Sequence, residues 1–133
     1  MTSERTLRLA FLSLGVVHLA IGVWMFAFPH SFFTTVGAFG SYNRHYERDT
    51  ATFYFAFSLG ALMAAVRPAW RVPVLAMTTL QYTVHTINHA IDVDRANNSW
   101  AGIFDLVSLG LATVQFAALL WLLGRAPSRT AAA

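Results

Sequence analysis

The sequence contains no cysteine and no lysine, and only 11% of its 133 residues are charged. Without cysteine there is no disulfide framework, which excludes the small secreted scaffolds that depend on one. Thiol nucleophiles and thiolate metal sites are excluded with it. Catalytic signatures are missing as well. There is no G-x-S-x-G, no G-x-G-x-x-G and no phosphate-binding Gly-Lys loop. Ser, His and Asp occur, but in no order that singles out a triad. Internal repeats, heptad arrays and low-complexity tracts are absent apart from the short tail Thr130–Ala133. The shortage of charge is the most informative lack. Soluble domains are about 25% charged and about 45–50% apolar, whereas this chain is 56% hydrophobic. A chain this short buries only about two-thirds of its unfolded surface, so it has too little interior to hide the excess. A soluble monomer and a disordered chain are both disfavoured, and an integral membrane protein remains.

What charge there is sits at the edges of apolar runs. The formal net charge is +3, from Arg5, Arg8, Arg44, Arg48, Arg67, Arg71, Arg95, Arg125 and Arg129 against six acids. Nucleic-acid binding needs basic residues gathered into a patch. Arginines spaced in ones and twos between apolar stretches are helix-flanking charges, so nucleic acid is not expected as a partner.

Four apolar stretches approach the roughly 17–25 residues needed to cross the hydrocarbon layer as a helix. They run over about 7–28, 49–66, 72–91 and 102–123. Pro29, Pro68, Pro73 and Pro127 fall at their limits, where a missing N–H costs least. Trp24 and Trp100 lie near one set of ends and Trp70 and Trp121 near the other, as two interfacial belts. The first run is longer than a signal-peptide apolar region and ends in Phe26-Ala27-Phe28-Pro29, a poor cleavage site, so it reads as a retained span. The expectation is a single all-α domain, an integral four-transmembrane-helix bundle in contact with the lipid bilayer. Arginines at the termini and second loop outnumber those in the first and third loops. That predicts cytoplasmic N and C termini in a bacterial cytoplasmic membrane.

Titratable groups gather on the opposite, outer side: His30, His45, Glu47, Asp49, His85, His89, Asp92, Asp94 and Asp105. The third segment carries Thr78, Gln81, Tyr82, His85, Asn88, His89 and Asp92 within an arc of roughly 120° on a helix. Facing lipid, each unsatisfied group would cost several kcal/mol, so the stripe should face other helices or a water-filled cavity. Facing surfaces are at hand. The second segment repeats small residues at Asp49, Thr52, Ala56, Gly60 and Ala64. Asp105, Ser108 and Ala112 share a face of the fourth, and His18 shares a face of the first with Gly15 and Gly22. Arg48 and the first loop would cap the enclosed site.

Four uses of this cluster stay open. His85, His89 and Asp92 have H-x3-H-x2-D spacing, and Asp49, Asp105, Glu47 or His45 could complete a site for a divalent transition metal. His18 and His85 could ligate a haem from two helices. Tyr82, Gln81 and His85 could hold a quinone-like head group or relay protons, with Phe53, Phe55 and Phe57 as walls. The plainer alternative is a buried polar network that fixes helix register. The pattern Gly15-x6-Gly22-x-Trp24 with Pro29 and Phe32-Phe33, and the Arg48-Asp49 pair opening the second segment, resembles the DoxX-like small bacterial membrane proteins. The resemblance implies a four-helix inner-membrane layout and transfers no catalytic residue. The resulting expectation is a small accessory or interaction subunit of a larger membrane complex or homo-oligomer. Its outward-facing His/Asp site would be a redox, proton or ion-transport element in the alternative reading.

Overall fold

The computed structural model describes residues 3–125. Among these the regular structure is all helical, with no strand and one isolated bridge between Phe39 and Ala96 in the connecting segments. Helix α1 spans Glu4–Ala27, and Ser3 caps it by accepting from the Thr6 N–H at 3.1 Å. It stops where Pro29 disfavours helical geometry at Phe28. Pro29 then opens a short second helix, α2, Pro29–Thr35, inside the stretch read from sequence as a loop. Helix α3 covers Arg44–Val66. Asn43 caps it through Oδ1, which accepts from the N–H groups of His45 and Tyr46. That cap starts the helix ahead of the expected boundary at Asp49 and places Asp49 inside it. A 3-10 turn over Pro68–Trp70 leads into α4, Arg71–Asp92. A second such turn, Val93–Arg95, leads to α5, Ser99–Gly124, capped by Asn98. Pro127, Arg129 and the tail Thr130–Ala133 lie outside the described residues.

The closest helix pair is α1 with α3. Along α1, Leu7, Phe11, Gly15, His18, Gly22 and Met25 are buried at steps of three or four residues, so one face is continuous. A Cβ on Gly15 would overlap the Leu62 side chain, and one on Gly22 would press tightly against Phe55 and Tyr54. The Ser58 hydroxyl donates to the Gly15 carbonyl at 2.8 Å. This contact sets the rotation of α3 and corrects the expected small-residue stripe. Ala51, Ser58, Ala61, Ala64 and Ala65 are buried, whereas Asp49, Thr52 and Ala56 are exposed. Tyr54, Phe55 and Ser58 occupy the α1 side, and that turns Thr52 and Ala56 outward.

All four long helices meet around Phe11, Ala61, Val74 and Leu75, with Phe116, Leu119 and Leu120 packed on this cluster. Beside it Arg71, read from sequence as a flanking charge, is buried. Its Nε donates to the Ala64 carbonyl at 3.1 Å, and Nη1 and Nη2 donate to the two Glu4 oxygens at 2.8 and 2.5 Å. A guanidinium is tolerated there because its donors are used by a bidentate carboxylate and a helix carbonyl.

Helices α1, α3 and α5 are long and apolar enough to cross a membrane. Helix α4 does not reach that apolar average, because one whole face is polar. Its other face is not: Val72, Met77, Leu80, Val84, Ile87 and Ile91 are all exposed. The helix is thus amphipathic with its apolar side outward, the inverse of a helix on a soluble protein.

The close approach of α1 to α3 is testable. Replacing Gly15→Val puts a branched side chain into the space of Leu62 and should destabilise the fold by about 1–3 kcal/mol. Thermal unfolding in detergent checks this; an unchanged or raised midpoint would contradict the contact.

Candidate functional site: a histidine and aspartate row on α4

Most of the polar face of α4 points inward. Thr78 is buried, Gln81, Tyr82, His85, His89 and Asp92 are half-buried, and only Asn88 of the expected stripe is exposed. Two hydrogen-bonded groups follow one another along this face.

The first joins α1 to α4. His18 is 1% exposed, with its ring about 5.8 Å from those of Tyr54 and Phe57. Its Nδ1 lies 2.9 Å from the Leu14 carbonyl. A carbonyl only accepts, so Nδ1 carries the proton and Nε2 is left as an acceptor. The Tyr82 hydroxyl, 3.2 Å away, therefore donates to Nε2. The Tyr82 ring is held edge-on by Phe116 of α5.

The second group runs toward the α4 C-terminus. Gln81 Nε2 lies 3.3 Å from His85 Nδ1, His85 Nε2 lies 3.0 Å from His89 Nε2, and His89 Nδ1 lies 3.9 Å from Asp105 Oδ2. The protons in this row have one consistent order. The Gln81 amide donates to His85 Nδ1, His85 Nε2–H donates to His89 Nε2, and His89 Nδ1–H faces the Asp105 carboxylate. Turning the Gln81 amide over would reverse every bond and aim a nitrogen lone pair at that carboxylate, so Asp105 selects the first order. The final gap is too long for a direct hydrogen bond. His89 Nδ1 is buried and has no hydrogen-bond partner, and Asp105 is only 5% exposed. A buried donor left beside a buried carboxylate is costly as pure packing.

The end of the row nearest the α4 C-terminus is covered by a clamp between two connections. Asn97 N–H donates to the Ala38 carbonyl at 2.6 Å and its side-chain amide to the Gly40 carbonyl at 2.8 Å. Gly40 adopts a φ of 65°, a turn geometry that favours glycine. Between them Phe39 sets its ring edge-on to His89, with centroids 4.8 Å apart. Phe39 carried no signal in the sequence, since its nearness to His89 depends on a contact between residues far apart along the chain. Tyr54 was missed for the same reason.

The structure thus brings His85, His89 and Asp105 together, with Tyr82 about one turn earlier on α4 and His18 reaching it from α1. It does not bring in Asp49, which is exposed and paired with His45 at 3.3 Å. Asp92 lies 3.2 Å from Arg95. Arg48, expected as a cap over the site, instead donates to the Phe26 carbonyl at 3.1 Å.

These placements bear on ligands. Among the described residues no group of three or more His, Asp or Glu is arranged to hold a metal ion. The two Nε2 atoms of His85 and His89 face each other, but Asp105 lies on the opposite nitrogen of His89 and cannot share an ion with both. Each ring nitrogen of His18 and His85 already has a hydrogen-bond partner, so axial haem ligation would break an existing bond. The arrangement instead suits passing protons along imidazoles, whose two nitrogens can exchange donor and acceptor roles. No protein-family model, curated protein or solved structure matches the chain.

The proton order is measurable. Nitrogen-15 spectra of the three ring systems should give His18 as the Nδ1–H tautomer, His85 as Nε2–H and His89 as Nδ1–H. Tyr82→Phe should shift the His18 signals and leave those of His85 in place. An Nε2–H form of His18 would contradict the geometry.

Proposed function

We propose that the chain is a four-span integral protein of a bacterial cytoplasmic membrane, with its termini inside. In this reading it is a small proton-handling subunit of a membrane assembly. Three apolar helices support the spans directly. Helix α4 is read as the fourth because its polar face finds partners within the protein and its exposed face is apolar. Arg5, Arg8, Arg67 and Arg125 on one side against Arg44, Arg48 and Arg95 on the other support the orientation. The DoxX-like resemblance agrees with this layout and assigns no residue role.

The observation that carries the functional reading is the directed row Gln81–His85–His89–Asp105, ending in an unbonded His89 N–H beside a buried carboxylate. A bridging water between His89 and Asp105 would complete a chain for one proton. A partner subunit or bound molecule delivers a proton to His85 Nδ1, and the Gln81 amide turns over to accept from it. The His85 Nε2 proton then passes to His89 Nε2, and the His89 Nδ1 proton through the water to the Asp105 carboxylate, which reverses the order of both imidazoles. Each step exchanges an N–H for a lone pair, so no free charge needs to rest on either ring. The stretch from Gln81 to His89 covers about 12 Å of helix, against a hydrocarbon layer of about 30 Å. The row therefore serves one half of the membrane. It exchanges protons between the outer edge and the protein interior, and any onward step belongs to a partner subunit or bound molecule.

A second reading, a fastening network without proton traffic, is favoured by His18. That residue spends Nδ1 on a carbonyl of its own helix and Nε2 on an α1–α4 tie, and has none left to relay. Infrared spectra of the reconstituted protein separate the two. A relay predicts an Asp105 carboxyl band, identified by its loss in Asp105→Asn, that shifts with pH together with the His85 and His89 ring modes. It also predicts exchange for deuterium within seconds. Bands invariant with pH and protected for hours would leave only the fastening network.

A further inference from the structure

The end of the molecule where α1 stops and α3 begins carries a feature unrelated to the histidine row. An open cleft of about 400 Å³ is lined by His30, Ser31, Tyr42, Arg44 and Arg48, with Phe28 at its edge. Two arginines at i and i+4 share one face of α3. Arg48 is fixed through Nε, which donates to the Phe26 carbonyl at 3.1 Å, with the guanidinium 5.3 Å from the Phe26 ring centre. That leaves both of its terminal nitrogens without a hydrogen bond among the described residues. Arg44 has no ion pair among them either.

No carboxylate lines the cleft. The two acids nearest in sequence are withdrawn by the fold: Asp49 pairs with His45, and Glu47 is buried and outside the lining. Around the arginines stand further groups that hydrogen-bond oxygen anions, namely the Ser31 and Tyr42 hydroxyls and the His30 ring. The His30 and Tyr42 rings brace each other edge-on, 5.1 Å apart. Ser31 is positioned by the Trp24 indole N–H, which donates to its hydroxyl at 3.2 Å.

We propose that this cleft binds a phosphate-bearing anion, with Arg44 and Arg48 as the charged fork and Ser31 and Tyr42 as hydroxyl donors. Phosphate fits better than a carboxylate because it offers three or four acceptor oxygens to donors on several sides. The cleft lies beside Phe28, which is 63% exposed, and beside the end of an apolar helix. A phospholipid headgroup would sit at that depth if the four-span reading holds, and the proposal rests on that reading for its lipid form only.

The test uses the full-length protein in a maltoside detergent, which carries no phosphate. Inorganic phosphate and short-chain phosphatidylglycerol are titrated separately at constant ionic strength while the thermal midpoint is followed. A saturable rise with either probe supports the site. A rise with the lipid alone assigns it to a headgroup, and a rise with inorganic phosphate shows that the phosphate group suffices. Arg44→Gln with Arg48→Gln should weaken the response by about tenfold or more. Arg5→Gln with Arg8→Gln, at the other end, should leave it unchanged. If the glutamine pair fails to fold by circular dichroism, Arg44→Lys with Arg48→Lys takes its place. It keeps the charge, loses the fork and should still bind several-fold more weakly. Absence of a saturable shift with both probes, or an undiminished shift in the arginine variants, overturns the proposal. Flotation with neutral vesicles tests the membrane reading separately: a chain that fails to float defeats the spans and leaves the phosphate titration to be judged by itself.

Discussion

An imidazole, amide or carboxyl group surrounded by apolar side chains must find its partners inside the protein. Helix α4 carries a whole face of such groups. Its opposite face, from Val72 to Ile91, is apolar and exposed. The remaining helices are arranged around that constraint. Helix α1 brings His18 to Tyr82, α5 brings Asp105 to His89 and Thr113 to Thr86, and the Asn97 clamp lowers Phe39 onto the last imidazole. At the other end the Arg71–Glu4 pair fastens α4 to α1, so the polar face is held at both ends by contacts it does not itself make.

Satisfying polar groups is not the same as using them. The Tyr82–His18 and Ser58–Gly15 bonds illustrate the first: each donor has its acceptor, and each ties two helices. Such ties in membranes contribute about 0.6 kcal/mol on average. The His85–His89–Asp105 row differs because it is directed and incomplete. Its order is imposed from one end by Asp105, and its last donor lacks a partner. A network selected only for stability gains nothing from that gap, whereas a site that admits a water or passes a proton needs one.

The parts legible in the sequence were those with a local cause. Prolines and caps mark helix ends, which is why the long helices fall close to the expected apolar stretches. The 3.6-residue period put His85 and His89 on one face, and Gly15, His18 and Gly22 on another, before any contact was known. What the sequence did not show depends on how helices rotate against each other. The stripe ending at Ala64 was a reasonable face by spacing, but Tyr54, Phe55 and Ser58 claimed the α1 side and carried Asp49 outward to His45. Asp49 thereby left the site. Arg71 looked like any flanking arginine because its partner, Glu4, lies at the far end of the chain. Phe39 and Tyr54 had no period to mark them.

Spin-label accessibility along α4 is the most direct test of the central claim, and the absence of native cysteine makes single-cysteine labelling straightforward. With the protein in lipid vesicles, collision with dissolved oxygen should rise and fall with a helical period. Maxima are expected at Leu80, Val84, Ile87 and Ile91, and minima at Thr78, Tyr82, His85 and His89. The opposite phase, with maxima on the histidine face, or a profile without helical period would contradict the account.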